Sequence, residues 1–227
     1  MINPQPLAVV HEDNHLLAVL KPAGLATMGL PADKPTLLTV AKQYVKDRYR
    51  KPGNVYLGVI SRLDTPVTGI VLLARTSKAA RRLTEQFRNR TVQKTYWALV
   101  EGVVDPAAGE CVDWLFADER HRRVRVVDAT RPGAKEARLA YRRLEQLAGH
   151  SLLEVEPQTG RKHQIRVQLA RRGHPILGDR KYGGRRAFPV GIGLHARRLV
   201  VNHPVGGQPV VLEAPLPPAW HTLGVVD

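Results

Sequence analysis

The stretch "RLDTPVTGIVLLART", residues 62–76, contains the pattern that decides the fold. Its second half is a continuous apolar run, too short for an ordinary helix and bounded by turn residues, which is typical of a buried β-strand. Ser77 follows, and Ala79, Leu83 and Phe87 then recur at helical spacing. The stretch therefore predicts a buried strand followed by an amphipathic helix with Ser77 as its N-cap.

Strands dominate the rest of the sequence. The further segments predicted as strands are "PLAVVHEDNHLLAVLKPAG" (two strands joined by a turn), "VYLGVI", "KTYWALVEG", "RRVRVVD", "EARLAYRRLEQL", "HSLLEVEPQTG", "LHARRLVVNHP" and "PVVLEAPLP". Two more helices are predicted, one over residues 36–50 and one in "TGRKHQIRVQLARRG", with Thr159 as its N-cap and Gly173 at its end. Because helices and strands do not alternate regularly, the order predicts an α+β fold with a largely antiparallel mixed sheet and a few flanking helices, not a doubly wound sheet.

Length and composition predict one globular domain spanning residues 1–227. Hydrophobic residues make up 43% of the chain, enough for a core, and no apolar stretch is long enough to cross a bilayer. The first residues lack the basic and apolar regions of a secretory signal. Cys111 is the single cysteine, which excludes an intramolecular disulfide and fits a reducing compartment. We therefore expect a cytoplasmic protein that does not associate with membranes.

The charge balance predicts a polyanionic partner. Lysine and arginine number 35 against 20 acidic residues, a formal net charge of +15. Residues 161–186 contain nine basic residues and one acid, Asp179, whereas residues 101–119 contain six acids and no base. This asymmetry predicts one positive and one negative face, and it favours nucleic acid as the partner.

Several common catalytic motifs are missing from the sequence. It contains no Walker A loop, no GxSxG serine motif and no HExxH pair, and the separations of its nine histidines match no compact set of metal ligands. We therefore expect no metal site.

Asp64 is the carboxylate that the charge balance leaves unexplained. An aspartate at the end of a strand is commonly a turn residue that binds nearby amides. Arg62, two residues earlier, would project to the same side of an extended strand and would keep the carboxylate ionised. A partly buried Asp64 could then act as a nucleophile or as a base, and spacing does not choose between them.

Four blocks, read in order, resemble the RluA-type pseudouridine synthase family. They are "SRLDTPVTGIVLLARTSKAARRL", "KTYWALVEG", "QTGRKHQIRVQLARRGHPILGDRKYG" and "LHARRLVVNHPVGGQPVVLEAPLP", and the leading "VVHEDNHLLAVLKPAGL" is similar too. The resemblance runs from about Val9 to Pro217. It implies the pseudouridine synthase fold with a central active-site cleft, and an isomerase that converts uridine in RNA to pseudouridine without a cofactor.

The resemblance also implies roles for five residues. Asp64 matches the essential catalytic aspartate, and Arg62 matches the arginine that helps turn the target nucleotide out of the stack. Tyr96 matches the tyrosine that packs against the flipped base. Arg166 matches the basic residue that pairs with the aspartate, and Ile165 beside it lines the uracil pocket.

The sequence departs from the family pattern at Ser61, where many members carry histidine, and at Lys162 and Gln168. These departures affect expected RNA contacts and not the catalytic set. The small S4-like RNA-binding module of some relatives is not expected before Ala8. We therefore expect a catalytic domain alone, a monomer that recognises a stem-loop of tRNA or ribosomal RNA.

The sequence leaves two rival functions open. A non-catalytic RNA-binding protein could keep the scaffold, although Asp64, Tyr96 and Arg166 together argue for an enzyme. A metal-dependent nuclease would need a cluster of carboxylates that the sequence does not contain.

Overall fold

The structure is a computed structural model, and it describes residues 7–31 and 33–226. The chain forms two compact units: residues up to Gln93 with Ala196–Ala214, and Lys94–His195 with the segment from Pro215 onward. Strands dominate and helices are few, and the strand pairs with an assigned register are antiparallel, so the predicted α+β class is confirmed. No helix among the described residues is long and apolar enough to cross a membrane.

The elements follow one another in a fixed order. In chain order they are β1 (Val9–Glu12), β2 (Leu16–Lys21), α1 (Leu37–Arg48), β3 (Gly58–Val59), β4 (Thr68–Ala74), α2 (Ser77–Arg88), β5 (Gln93–Glu101), β6 (Ala108–Asp118), β7 (Arg123–Val127), β8 (Lys135–Leu147), β9 (His150–Pro157), α3 (Gln164–Arg171), a 3₁₀ turn (Arg180–Tyr182), β10 (Leu194–Asn202), β11 (Pro209–Glu213) and α4 (Pro218–His221).

The first unit is built on the pair β2 and β4, which run antiparallel from Leu16 opposite Ala74 to Lys21 opposite Gly69. Every residue of β4 is buried, as its apolar run predicts. Helix α2 buries Ala79 and Leu83 against this core, which confirms the predicted helix. Its predicted N-cap was wrong by one residue.

Thr76, and not Ser77, is the N-cap of α2. The Thr76 hydroxyl accepts a hydrogen bond from the backbone amide of Ala79 at 3.1 Å. Both residues carry the hydroxyl that a cap requires, so the register of the turn after β4 decides between them. Helix α1 also begins one residue after its cap, Thr36.

Gly69 lets β4 approach its neighbour closely. Its φ is +116°, and a Cβ placed there would lie 2.4 Å from the carbonyl oxygen of Ala196 in the same unit. A side chain at this position would overlap backbone, and only glycine adopts this φ without strain. Glycine at this position therefore permits the close approach of β4 to the backbone of Ala196.

The second unit contains an antiparallel meander. β5 pairs with β9, β9 with β8, β8 with β6, and β6 with β7. One core cluster joins Leu115 and Val124 of the sheet to Val167 of α3, and another surrounds Trp220. Sequence analysis missed β6. Its inward face includes the acid Asp113 and its outward face the exposed Trp114, so no clean apolar alternation marks it.

The segment before α3 differs from its prediction. The helix begins at Gln164, and the cap position is His163, in a left-handed conformation with φ 54° and no side-chain capping bond. The prediction that Thr159 is the N-cap was wrong, because its hydroxyl donates to Oε1 of Gln164 at 2.7 Å. The same oxygen accepts the backbone amide of Arg161 at 3.0 Å. A glutamine side chain therefore shapes this turn.

The acidic and basic segments do not occupy separate faces, contrary to prediction. Within the second unit, Asp113 accepts from Arg172 at 2.8 Å and Glu119 lies 3.5 Å from Lys162. Glu101 accepts the backbone amides of Arg185 and Arg186, each at 2.6 Å. The acids of 101–119 thus contact parts of the basic segment directly, which reduces the local positive charge there.

Candidate active site

In the first unit, Asp64 lies between β3 and β4, outside both strands. Exposure alternates along this segment: Arg62 is exposed, Leu63 is buried at 8% and Asp64 is half-buried. The Asp64 side chain is therefore partly buried, and Arg62 lies in the same short segment. The chain then turns, since the amide of Val67 donates to the carbonyl of Asp64 at 3.0 Å.

Backbone hydrogen bonds hold both neighbours of Asp64. The Thr27 hydroxyl donates to the carbonyl of Leu63 at 2.9 Å and accepts its amide at 3.2 Å. On the other side, the amide of Gly24 donates to the carbonyl of Thr65 at 2.9 Å. The loop after β2 therefore fixes the backbone on each side of the aspartate, which limits the positions its side chain can take.

Lys21 is a buried cation next to this turn. Its side chain is 1% exposed, and its ammonium donates to the carbonyls of Pro22, Leu25 and Thr65 at 2.8, 2.8 and 2.9 Å. Three acceptors match the three protons of an ammonium group. Burial lowers the pKa of Lys21 to about 8, and the negative charge of Asp64 acts in the opposite direction. The ammonium of Lys21 and the carboxylate of Asp64 therefore attract each other.

Ser61 has a structural partner in the position where the family pattern carries histidine. Its hydroxyl accepts the amide of Leu72 at 2.9 Å, and its own amide donates to the carbonyl of the same residue at 3.3 Å. This residue therefore joins the segment before Asp64 to β4.

In the second unit, Arg166 is held by a buried carboxylate. The Arg166 side chain is 6% exposed, and its guanidinium donates to Asp179 through two parallel hydrogen bonds, Nε to Oδ2 at 2.7 Å and Nη2 to Oδ1 at 2.8 Å. Its Cζ also lies 5.1 Å from the ring centroid of Tyr182. A bidentate pair and a cation–π contact leave the guanidinium little freedom.

Tyr182 is itself fixed by two polar contacts. Its hydroxyl accepts the amide of Val124 at 3.1 Å and lies 2.6 Å from Nδ1 of His163, the residue in the left-handed conformation. Residues in such strained conformations persist where surrounding contacts over-determine them, as they do here.

Tyr96 and Ile165 complete the set of residues that sequence analysis selected. Tyr96 is half-buried on β5, opposite Val155 of β9. Ile165 is 7% exposed in the first turn of α3, directly before Arg166. The structure thus places Ile165 and Arg166 together on one helix, and Arg62 and Asp64 together on one segment.

Gln168 and Lys162, two of the three residues that depart from the family pattern, lie in different environments. Gln168 is fully buried, and its amide nitrogen donates to Asp113 Oδ2 and to the carbonyls of Cys111 and Ala137, so it supports the core. Lys162 is exposed, and its ammonium lies 3.5 Å from the carboxylate of Glu119, which is exposed as well. Among residues 7–31 and 33–226, no three His, Cys, Asp or Glu side chains group as metal ligands.

Sequence analysis missed four residues that shape these surroundings: Lys21, Thr27, Asp179 and Tyr182. One signal was available, because Asp179 is the single acid among the nine bases of residues 161–186. A lone carboxylate in such a segment has a choice of cationic partners, and in the structure it pairs with the buried Arg166.

A family model described as RNA pseudouridylate synthase matches residues 15–171, which include the Asp64 segment and α3. The chain belongs to this family. The RluA-type resemblance noted from the sequence blocks is therefore confirmed.

Individual relatives agree with the family. A tRNA pseudouridine synthase C from Pectobacterium carotovorum subsp. carotovorum is 35% identical, covering 97% of this chain and 61% of the relative. A ribosomal large subunit pseudouridine synthase D from Xanthomonas campestris pv. campestris is also 35% identical, covering 93% and 66%. The chain thus spans less than two thirds of the length of these two relatives. The solved structure of human RNA Pseudouridylate Synthase Domain Containing 4 matches with a TM-score of 0.80 and 25% identity, covering 97% of this chain and 95% of that one.

Proposed function

We propose that this protein is an RNA pseudouridine synthase, an isomerase that converts specific uridines of structured RNA to pseudouridine. The observation that carries the proposal is the half-buried Asp64, held in a turn whose flanking residues are both anchored, in a chain that belongs to the RNA pseudouridylate synthase family. A residue kept merely as a turn former would not need this support on both sides.

The reaction is balanced within the substrate. The bond between uracil N1 and ribose C1′ breaks, the base turns, and C5 joins C1′; C5 loses a proton and N1 gains one. Product and substrate are isomers, so the reaction itself consumes no redox equivalent and no energy source. Asp64 can serve it by removing the C2′ proton, by attacking C1′ or by adding to C6. We propose Asp64 as the catalytic residue.

The other selected residues would bind the target nucleotide. A uridine in a helix or folded loop must leave its stack, at a cost of about a few kcal/mol, before it reaches a carboxylate. The exposed Arg62 is suited to stabilise the displaced nucleotide, and the net charge of +15 favours phosphate contacts that offset the cost. We propose Tyr96 and Ile165 as contacts of the uracil ring and Arg166 as the basic residue of the site.

The domain organisation, oligomeric state, location and RNA substrate of the protein are proposed as well. We propose one catalytic domain spanning residues 1–227, acting as a monomer in the cytoplasm on a stem-loop of tRNA or ribosomal RNA. The names of the relatives, which include both a tRNA and a ribosomal enzyme, support either RNA class.

The test is tritium release from RNA labelled at uridine C5. Wild type, Asp64→Asn and the exposed control Asp47→Asn are compared on unmodified tRNA and ribosomal RNA. We expect release by the wild type and by Asp47→Asn, and a loss of at least about a thousandfold in Asp64→Asn, because an amide can neither take a proton nor attack carbon. Release by Asp64→Asn at the wild-type rate would assign the chemistry to another residue.

RNA affinity separates the enzyme from a binding protein. Asp64→Asn is expected to retain RNA binding while it loses turnover. If the wild type binds both RNA classes but releases tritium from neither, the proposed isomerase is wrong and the chain binds RNA without modifying it.

A further inference from the structure

One hydroxyl satisfies both backbone groups of the residue directly before Asp64. Thr27 is 4% exposed, and its Oγ1 donates to the carbonyl of Leu63 at 2.9 Å while it accepts the Leu63 amide at 3.2 Å. The two residues are 36 positions apart in the chain. Leu63 lies between β3 and β4, so no strand ladder is there to pair its amide and carbonyl.

The contact matters because Leu63 is buried, and buried backbone groups must be paired. Without the hydroxyl, the amide and carbonyl would lose their partner together. The segment could pair them again only by shifting toward water or toward other donors and acceptors. Any such shift moves Asp64, the next residue along the chain.

Thr27 is in turn held by a rigid element. The carbonyl of Thr27 accepts the amide of Leu38 at 3.1 Å, and the carbonyl of Ala26 accepts the amide of Leu37 at 2.8 Å. Both donors lie at the start of α1, whose N-terminus is closed by a capping box between Thr36 and Thr39. The start of the helix therefore fixes Thr27, and Thr27 fixes the residue before Asp64.

We propose that Thr27 is a positioning residue for Asp64. The inference rests on the proposed isomerase function and adds a residue to it: Thr27 touches no reacting atom and acts through the backbone of Leu63. Displacing a catalytic group by about 1 Å can cost about a hundredfold in rate, so loss of this hydroxyl should appear in turnover more than in RNA binding.

The test compares Thr27→Val, which removes the hydroxyl at nearly constant shape, with Thr27→Ser, which keeps it. The matched control is Thr84→Val on the exposed face of α2. Tritium release from uridine-labelled RNA gives kcat and KM for each variant. We expect kcat of Thr27→Val to fall by about 10- to 100-fold with KM within about threefold, and Thr27→Ser and Thr84→Val to stay within about threefold of wild type.

A second measurement separates positioning from RNA binding and from folding. In an Asp64→Asn background, Thr27→Val should leave RNA affinity unchanged, and the far-ultraviolet circular dichroism of all variants should match at the assay temperature. If Thr27→Val does not fold, Thr27→Ala replaces it. Failure of both hydroxyl-free variants to fold would show that the hydroxyl serves stability, and the positioning role would be wrong.

The outcomes distinguish the two proposals. An active wild type with an unchanged kcat in Thr27→Val overturns the positioning role alone and leaves the isomerase standing. A rise in KM without a fall in kcat also overturns it, because it would assign Thr27 to RNA binding. A wild type that releases no tritium from either RNA class overturns the isomerase and, with it, the positioning role.

Discussion

The buried ammonium of Lys21 donates to the carbonyl of Thr65 at 2.9 Å, which ties the last residue of β2 to the residue directly after Asp64. The same ammonium donates to Pro22 and Leu25 in the loop that follows β2. One side chain thus joins the loop after β2 to the turn that follows Asp64, through hydrogen bonds to three carbonyls. The negative charge of Asp64 in turn raises the pKa of Lys21 against the larger effect of burial.

Replacing Lys21 with methionine should destabilise the first unit. Methionine relieves the cost of burying an ammonium, but it removes the lysine donor from the carbonyls of Pro22 and Leu25, at about 1–3 kcal/mol each. The carbonyl of Thr65 keeps the amide of Gly24. We expect a net loss of about 2 kcal/mol in the free energy of unfolding, measured by urea denaturation. Lys42→Met, at an exposed position of α1, is the control and should change stability by less than about 0.5 kcal/mol. A Lys21→Met protein more stable than wild type would show that desolvation of the ammonium is the larger effect.

The pH dependence of stability should report the same buried lysine. Its pKa is about 8 in the folded protein against the usual 10.5, so the folded protein releases the proton first. Between these values the unfolded chain binds more protons, and stability therefore rises with pH. The difference in unfolding free energy between wild type and Lys21→Met should shift in favour of wild type by about 3 kcal/mol over this window. A difference that stays flat across the window contradicts the lowered pKa.

The buried pair of Arg166 and Asp179 should be far more sensitive than an exposed ion pair. Their side chains are 6% and 2% exposed, and Asp179→Asn leaves the guanidinium without its bidentate carboxylate. We expect a loss of about 3 kcal/mol in unfolding free energy, because breaking a buried ion pair by removing one of its two partners is costly. The control is Glu213→Gln, which breaks the exposed contact between Arg198 and Glu213 at 3.1 Å and should cost less than about 1 kcal/mol. Similar losses in both variants would contradict the burial argument.

Much of the fold followed from local pattern. The buried run of β4 and the apolar stripe of α2 were predicted because each depends on residues close in sequence. β6 escaped prediction because Arg172 and Gln168, distant in the chain, pair its inward acid Asp113 and so permit a polar residue in the core. The start of α3 was predicted wrongly because it depends on a side-chain contact. The Thr159 hydroxyl, which the pattern assigned to the helix N-cap, donates to the side chain of Gln164 instead.

The candidate site divides in the same way. Residue spacing left the role of Asp64 open. Only the family resemblance indicated it as a catalytic residue, together with Tyr96 and Arg166 as residues of the same site. The residues that hold the backbone next to Asp64 could not be predicted from local sequence pattern. Lys21 meets Thr65 across 44 positions and Thr27 meets Leu63 across 36, so their roles depend on the pairing of β2 with β4 and on the loop between them.

Acid stability should depend on Asp13, in the turn between β1 and β2. One carboxylate oxygen accepts the amides of His15 and Leu16 at 2.6 and 2.7 Å, and the other accepts from His11 at 2.8 Å and lies 3.2 Å from Nε2 of His203. Burial alone would raise the pKa of Asp13. The hydrogen bonds and the charge of His203 outweigh it and lower that pKa from 3.8 to about 2.

A lowered carboxyl pKa stabilises the fold above the unfolded value of 3.8, and this contribution is lost as the pH falls through about 2. Asp13→Asn should therefore cost about 1 kcal/mol at neutral pH, a figure reduced for the solvent screening of a partly exposed group. The difference from wild type should shrink below pH 3.8 and disappear as the pH falls below about 2. Urea denaturation along an acid series measures it, with the exposed Asp33→Asn as the control. A difference between wild type and Asp13→Asn that persists unchanged at the acid end would mean that Asp13 stabilises the turn through its shape and not through its charge.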